Sequence, residues 1–196
     1  MNLIERRRQM MMSKSLPYDA EIEYLESTGT QYIITTFVPN QDNLKIITRV
    51  YKKNAPGDNF VYHLYTTNPK GFNMDWYAGS MYIRNLGVEV INGCADGTHT
   101  FEVSGTQYIQ DGVARTCVRT ETLTDNTRNL TIFAVTSGAY GLKGRIYYFQ
   151  CYYGDELVFD LIPVRVGQVG YMYDKVSGQL FGNQGTGNFV LGPDKN

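Results

Sequence analysis

Short segments of alternating polar and apolar residues run through most of this chain, separated by glycine-containing turns, and they constrain its fold most. From residue 20 onward these segments are rich in β-branched and aromatic residues, which favour strands. Asn92-Gly93, Asp96-Gly97 and Asp111-Gly112 are expected as turns between such segments, and the spacing around Asp111-Gly112 is typical of a hairpin with a primed turn. No helical period of useful length occurs there. Many short strands at regular spacing predict an all-β sandwich or barrel.

The predicted strands are numerous, and their apolar residues fall on one side. Two antiparallel sheets packed face to face are therefore favoured over a small closed barrel. We expect an antiparallel jelly-roll sandwich over residues 17–196. A first strand is expected at 21–25, and the others at 31–34, 44–52, 60–66, 72–78, 80–85, 88–91, 98–103, 106–110, 113–120, 129–135, 144–153, 156–166, 169–174, 179–181 and 188–191.

Composition excludes several classes of protein. Of the 196 residues, 42% are hydrophobic and 19% are charged, which argues against intrinsic disorder. The net charge of -1 does not suit a nucleic-acid binder. No run of 18 apolar residues is present, so we expect no membrane span and no membrane partner.

Residues 1–16 differ from the rest and are predicted to form a short helical arm. Leu3, Ile4, Met10 and Met11 recur at a spacing of seven and share one side of a helix. Three roles compete: a frayed end, a docking segment, or contact of the basic run with nucleic acid or an anionic membrane. Three arginines are too few for the last role. We expect docking, and the candidate partner-docking residues are Leu3, Ile4, Arg6, Arg7, Arg8, Met10 and Met11.

Two ends of the sandwich sequence carry a resemblance to a known family. EYLESTGTQYI at 23–33 lies near the start, and GRIYYF at 144–149, LVFDLIPVR at 157–165 and GYMYD at 170–174 lie near the end, before Gly185-Thr186-Gly187. These segments resemble the concanavalin A-like (laminin-G-like) jelly-roll modules of phages and prophages of gut bacteria. The resemblance implies two antiparallel sheets, with the N-terminal strand beside the C-terminal strands.

The same resemblance implies a role on the surface of a virion. The expected function is non-enzymatic: capsid decoration, a head fibre or a tail appendage, made in the cytoplasm of a host bacterium. The implied partners are other virion proteins, reached through the arm, and further copies of the chain in a homo-oligomer, by analogy a trimer.

Carbohydrate binding, as in a lectin that attaches to host surface glycans, is the alternative function. Sugars bind by stacking on exposed aromatic rings with polar groups around them. The candidate residues are Tyr62, Asn73, Asp75, Trp76, Tyr77, Tyr82 and Arg84. The competing interpretation is that these rings simply cover a face of the sandwich.

Catalysis and cofactors have little support in the sequence. Glu21, Glu23 and Glu26 have the outline of a glucan-cleaving carboxylate set, but they fall in the first strand of the resembled, non-enzymatic family. His63 and His99 are isolated, and no nucleophile motif is present. Cys94, Cys117 and Cys151 show no metal-binding spacing and are expected to be packed thiols. We therefore expect no catalytic residue, no cofactor and no metal.

Overall fold

The computed structural model describes residues 16–39, 43–53, 57, 59–64, 72–77, 80–85, 88–104, 107–116 and 127–196. The predicted helical arm lies outside these ranges, except for Leu16, and so does Cys117. The ranges contain no helix, and hence none that is long and apolar enough to cross a membrane.

Strands account for all the regular secondary structure in these ranges. In chain order they are β1 Ala20–Glu21, β2 Leu25–Thr28, β3 Ile33–Ile34, β4 Leu44–Lys52, β5 Asn59–Leu64, β6 Phe72–Tyr77, β7 Ser80–Asn85, β8 Val88–Gly93, β9 Gly97–Ser104, β10 Gln107–Gln110, β11 Val113–Thr116, β12 Thr131–Ile132, β13 Lys143–Tyr153, β14 Glu156–Val166, β15 Val169–Asp174, β16 Leu180–Phe181 and β17 Val190–Leu191.

These strands form two antiparallel sheets, which confirms the predicted jelly-roll sandwich. The larger sheet has the order β11-β10-β9-β4-β13-β14-β15-β16, with β2 added beside β13, β17 beside β2 and β1 beside β14. The smaller sheet has the order β3-β12-β5-β6-β7-β8. The core fills the space between the sheets.

Residue alternation explains which side of each strand faces the core. In β4, Leu44, Ile46, Thr48 and Val50 are buried, whereas the alternate residues Lys45, Ile47, Arg49 and Tyr51 are partly or fully exposed. Because successive side chains of a strand point to opposite faces, these alternate residues lie on the outer surface. The larger sheet therefore presents a solvent-facing side along β4 and its neighbour β13.

The two ends of the sandwich sequence meet, as the resemblance implies. Strand β17 pairs with β2, and Ile22 forms an isolated bridge with Asp194. The Thr30 hydroxyl donates to the Thr186 carbonyl at 3.0 Å. A Cβ on Gly185 would overlap the Thr30 carbonyl oxygen, so this close approach requires glycine.

Two local predictions were wrong and one was confirmed. The single strand expected at 21–25 is interrupted, because β1 pairs with β14 whereas β2 pairs with β13. Asn92-Gly93, expected as a turn, continues β8. Asp111 and Gly112 have φ of 50° and 81° and join β10 to β11, as a primed turn requires.

Candidate functional site

The predicted sugar-stacking residues Tyr62 and Trp76 lie in the core. Tyr62 is 0% and Trp76 3% exposed, and Trp76 shares the inner face of β6 with Phe72 and Met74. Neither ring therefore offers an exposed face to a sugar. This corrects the expectation that these two aromatic residues form a surface.

The polar members of that predicted patch lie on the opposite side of the smaller sheet. Asp75 pairs with Tyr82 across β6 and β7, and Asn73 pairs with His63 across β5 and β6. Asn73 and Asp75 are buried, and Tyr82 is partly exposed. The side chains of Tyr77 and Arg84 lie outside the described part. Carbohydrate binding at Asn73, Asp75, Tyr82, Tyr77 and Arg84 stays a prediction.

A second surface is better formed, on the outer side of the larger sheet. We call it the tyrosine–arginine face. It comprises the tyrosines of β4, β13 and the segment before β2, together with three basic residues: Tyr24, Tyr51, Tyr147, Tyr148, Tyr152, Lys45, Arg49 and Arg145.

Sheet register brings these residues together from distant parts of the sequence. Arg145 lies opposite Tyr51, Tyr148 opposite Arg49, and Tyr152 opposite Lys45. Cross-strand neighbours on one face of a sheet are in direct side-chain contact. The cross-strand contacts between β4 and β13 therefore form a row along the length of β13.

A register shift in β13 adds one tyrosine to this face. The pairing with β4 shifts between Ile146 and Tyr148, so that Tyr147 is the extra residue of a β-bulge. The Tyr147 ring contacts the Tyr24 ring, with 5.6 Å between centroids in an edge-on arrangement. Consecutive tyrosines, Tyr147 and Tyr148, thus line the same cavity.

Cations lie over most of these rings. The Arg145 guanidinium is 4.3 Å from the Tyr24 centroid and 5.1 Å from that of Tyr51. Arg49 lies 4.9 Å from the Tyr147 ring centre, and the Lys45 ammonium lies 4.6 Å from that of Tyr152. Such cation–π contacts fix the orientation of both partners and contribute about 0.5–1 kcal/mol each at exposed sites.

The charges of this face are partly neutralised within it. Arg145 donates to Glu26 at 2.6 Å, and this hydrogen bond raises the pKa of the guanidinium above its ordinary value. Arg49 is exposed and has no carboxylate partner among the described residues. The face is therefore polar and aromatic rather than strongly basic.

A surface cavity of about 500 Å³ opens at the centre of the face, lined by Glu23, Arg49, Tyr147, Tyr148 and Lys195. The Tyr148 side chain makes no ring contact or hydrogen bond with another described residue. The cavity thus offers a partly exposed tyrosine ring beside hydrogen-bonding groups of both charges.

The C-terminal segment forms one wall of this cavity and is held in place. Arg165 donates two hydrogen bonds to the Asp194 carboxylate, at 2.7 and 2.6 Å. These bonds hold the pKa of Asp194 below its ordinary value. The Lys195 amide donates to the Glu21 carbonyl at 2.8 Å. The wall is therefore fixed by side-chain and backbone contacts.

The glutamates with a glucan-cleaving outline have separate environments. Glu26 accepts the hydrogen bond from Arg145, Glu21 accepts one from the Tyr18 hydroxyl at 3.3 Å, and Glu23 lines the cavity. The predicted absence of catalysis stays a prediction.

The described histidines and cysteines make structural contacts. His99 Nδ1 lies 2.7 Å from an Asp111 oxygen, and His99 Nε2 lies 3.0 Å from the Ala95 carbonyl. Cys94 and Cys151 are free and buried, as expected for packed thiols, and burial raises the pKa of the Cys151 thiol well above its ordinary value. In the described ranges no three His, Cys, Asp or Glu side chains are grouped as metal ligands.

Sequence reasoning missed the tyrosine–arginine face. A signal was available, since Arg49 and Tyr51 alternate with buried residues in β4, and Arg145, Tyr147 and Tyr148 are polar or aromatic positions on either side of the buried Ile146 in β13. That pattern indicates a solvent-facing aromatic strip. It does not reveal that the two strands are neighbours.

Comparisons with known proteins support the fold. No protein-family model matches the chain, and no curated protein matches it. Among solved structures, domains LG4-5 of the mouse laminin α1 chain are similar, with a TM-score of 0.50 and 15% identity. The match covers 74% of this chain and 45% of that chain. The chain therefore has the concanavalin A-like jelly-roll fold of a laminin G domain.

Proposed function

We propose that the chain is a non-enzymatic binding module that is displayed on a bacteriophage particle and attaches to glycans of the host surface. The observation that carries the binding role is the tyrosine–arginine face with its central cavity. The C–H side of a sugar ring is apolar and packs against a tyrosine ring. The hydroxyl groups of the sugar form hydrogen bonds with charged side chains. Tyr148, Arg49 and Glu23 supply these two kinds of contact around one cavity.

The display role rests on the sequence resemblance and on the predicted arm. The described core cluster is built from residues between Ile22 and Phe189. In this proposal the apolar side of the arm binds a partner on the particle. Burial of Leu3, Ile4, Met10 and Met11 would then drive assembly.

Deleting residues 1–15 tests the display role. We expect the shortened protein to stay folded and soluble, because it keeps the described core cluster between Ile22 and Phe189, but to be absent from purified particles. Circular dichroism checks folding, and electron microscopy of particles with full-length and shortened chains checks incorporation. Normal incorporation of the shortened chain would contradict the docking role of the arm.

Tyr148→Ala tests the glycan-binding role. We expect it to weaken binding to the glycans that the unaltered protein captures on a glycan array roughly tenfold or more, because truncating a central tyrosine commonly costs about 2 kcal/mol. Tyr82→Ala, on the other sheet, is the matched control and should bind normally. The proposal fails if the unaltered protein captures no glycan. If only Tyr82→Ala loses binding, the site lies on the smaller sheet.

A further inference from the structure

The contacts on the tyrosine–arginine face are arranged in a line rather than around a point. Arg145 with Tyr24 and Tyr51 lies at one end, Arg49 with Tyr147 in the middle, and Lys45 with Tyr152 at the other end. Arg145 and Tyr152 are both in β13, and strands rise about 3.3 Å per residue, so the line is roughly 20 Å long. That length is several times the width of one sugar ring.

Polar groups continue along the same line beyond the cavity. The Tyr152 hydroxyl donates to Gln150 Oε1 at 3.4 Å, and Gln150 Nε2 donates to Asp160 Oδ1 at 3.0 Å. Lys175 lies 3.0 Å from the other Asp160 oxygen. Hydrogen-bonding groups held in place in this way are preorganised and lose little side-chain entropy when a ligand binds.

The charges on the line argue against a polyanion. A nucleic-acid strand is bound by cations that neutralise successive phosphates. Here Arg145 is already paired with Glu26 and Lys175 with Asp160, while Glu23 and Glu102 add negative charge to the same side. Arg49 and Lys45 alone lack a carboxylate partner on the described face.

The composition of the line also argues against a protein partner. Protein interfaces usually have a more apolar, fully buried centre. The exposed large aliphatic residues in the described ranges, Leu16, Val113, Val166, Val169, Val176 and Val190, lie outside β4 and β13. Aromatic rings separated by polar groups instead match the alternation of C–H faces and hydroxyl groups along a sugar chain.

We infer that the ligand is a linear oligosaccharide of several rings that lies along β13, with one sugar over Tyr148 at the cavity and further sugars toward Tyr51 and Tyr152. This inference rests on the proposed glycan-binding function and specifies its ligand. Because each ring along the line adds its own contact to an already bound chain, affinity should rise with chain length.

Titration calorimetry on the full chain tests the inference. The ligands are glucose, galactose, mannose and N-acetylglucosamine, each as the single sugar and as linear homo-oligomers of three and six rings. For the sugar that binds, we expect the six-ring oligomer to bind roughly tenfold more tightly than the three-ring one. Tyr51→Ala and Tyr152→Ala should remove this gain and leave three-ring binding unchanged. Tyr82→Ala tests the competing patch on the smaller sheet and should bind both oligomers normally if the ligand lies along β13. Circular dichroism confirms that each variant is folded.

The alternative outcomes separate this inference from the proposed function. Equal affinity for three and six rings, with loss only in Tyr148→Ala, would overturn the linear ligand and keep the glycan-binding role. Loss of binding in Tyr82→Ala but not in Tyr148→Ala would overturn the site. Absence of binding by every oligomer would overturn both.

Discussion

Phe149→Ala is expected to lower the free energy of unfolding by about 3–5 kcal/mol, the usual range for deleting a buried phenylalanine ring. Phe149 is 0% exposed and lies in the middle of β13. Its ring contacts the Tyr62 ring from the smaller sheet edge-on, with 5.5 Å between centroids. The substitution therefore leaves a cavity where the two sheets meet. Urea denaturation followed by circular dichroism measures the loss.

Tyr148→Ala is the matched control for this prediction. Tyr148 is the preceding residue of the same strand, but its ring lines the surface cavity instead of the core. We expect a much smaller loss of stability, of about 0.5 kcal/mol, as for most surface substitutions. Comparison of Phe149→Ala with Tyr148→Ala should thus distinguish a loss of folding stability from a loss of glycan binding. Similar losses for the two variants would contradict the assignment of opposite faces to these neighbours.

Asp174→Ala is expected to cost about 3 kcal/mol, because the Asp174 carboxylate is buried and accepts three backbone hydrogen bonds. One oxygen accepts from the amides of Asp160 at 2.9 Å and Val176 at 3.2 Å, and the other from Ser177 at 3.1 Å. These bonds anchor the turn after β15 to β14. Alanine would leave the buried Asp160 N–H, and the part-buried N–H groups of Val176 and Ser177, without this acceptor.

Thermal and urea unfolding of Asp174→Ala and Asp155→Ala check this prediction. Asp155 is an exposed turn residue between β13 and β14, so its replacement should change stability little. Hydrogen exchange of the Asp160 and Ser177 amides should accelerate in Asp174→Ala alone. An unchanged exchange rate would show that the carboxylate does not hold the turn.

Much of the fold could be predicted because strand alternation is a local property. The predicted bounds of 44–52, 80–85, 156–166 and 169–174 match β4, β7, β14 and β15. The two-sheet arrangement follows from the one-sided apolar residues of these strands. Where a strand is short or paired with two partners, as at 20–28, alternation alone does not locate its ends.

The candidate binding surface was harder to predict for two physical reasons. Trp76 follows Phe72 and Met74 at every second position of β6, so its side chain points to the same buried face as theirs. The strand alternation therefore predicts its burial, whereas the ability of an indole ring to stack on a sugar suggested exposure. The tyrosine–arginine face depends on the pairing of β4 with β13, for example Arg49 with Tyr148. No local pattern specifies a contact between segments so far apart in sequence.

The meeting of the two ends of the sandwich determines when folding can finish. Strand β2 is completed by β13 and β17, and the Thr30–Thr186 hydrogen bond joins residues 156 positions apart. At about 5–20 residues per second, a ribosome needs roughly 8–30 s to cover that distance. Until then β2 lacks its second partner, β17, and an open strand edge of this kind can pair with other chains. We expect the yield of soluble protein to depend on synthesis rate and on chaperones that shield the early strands.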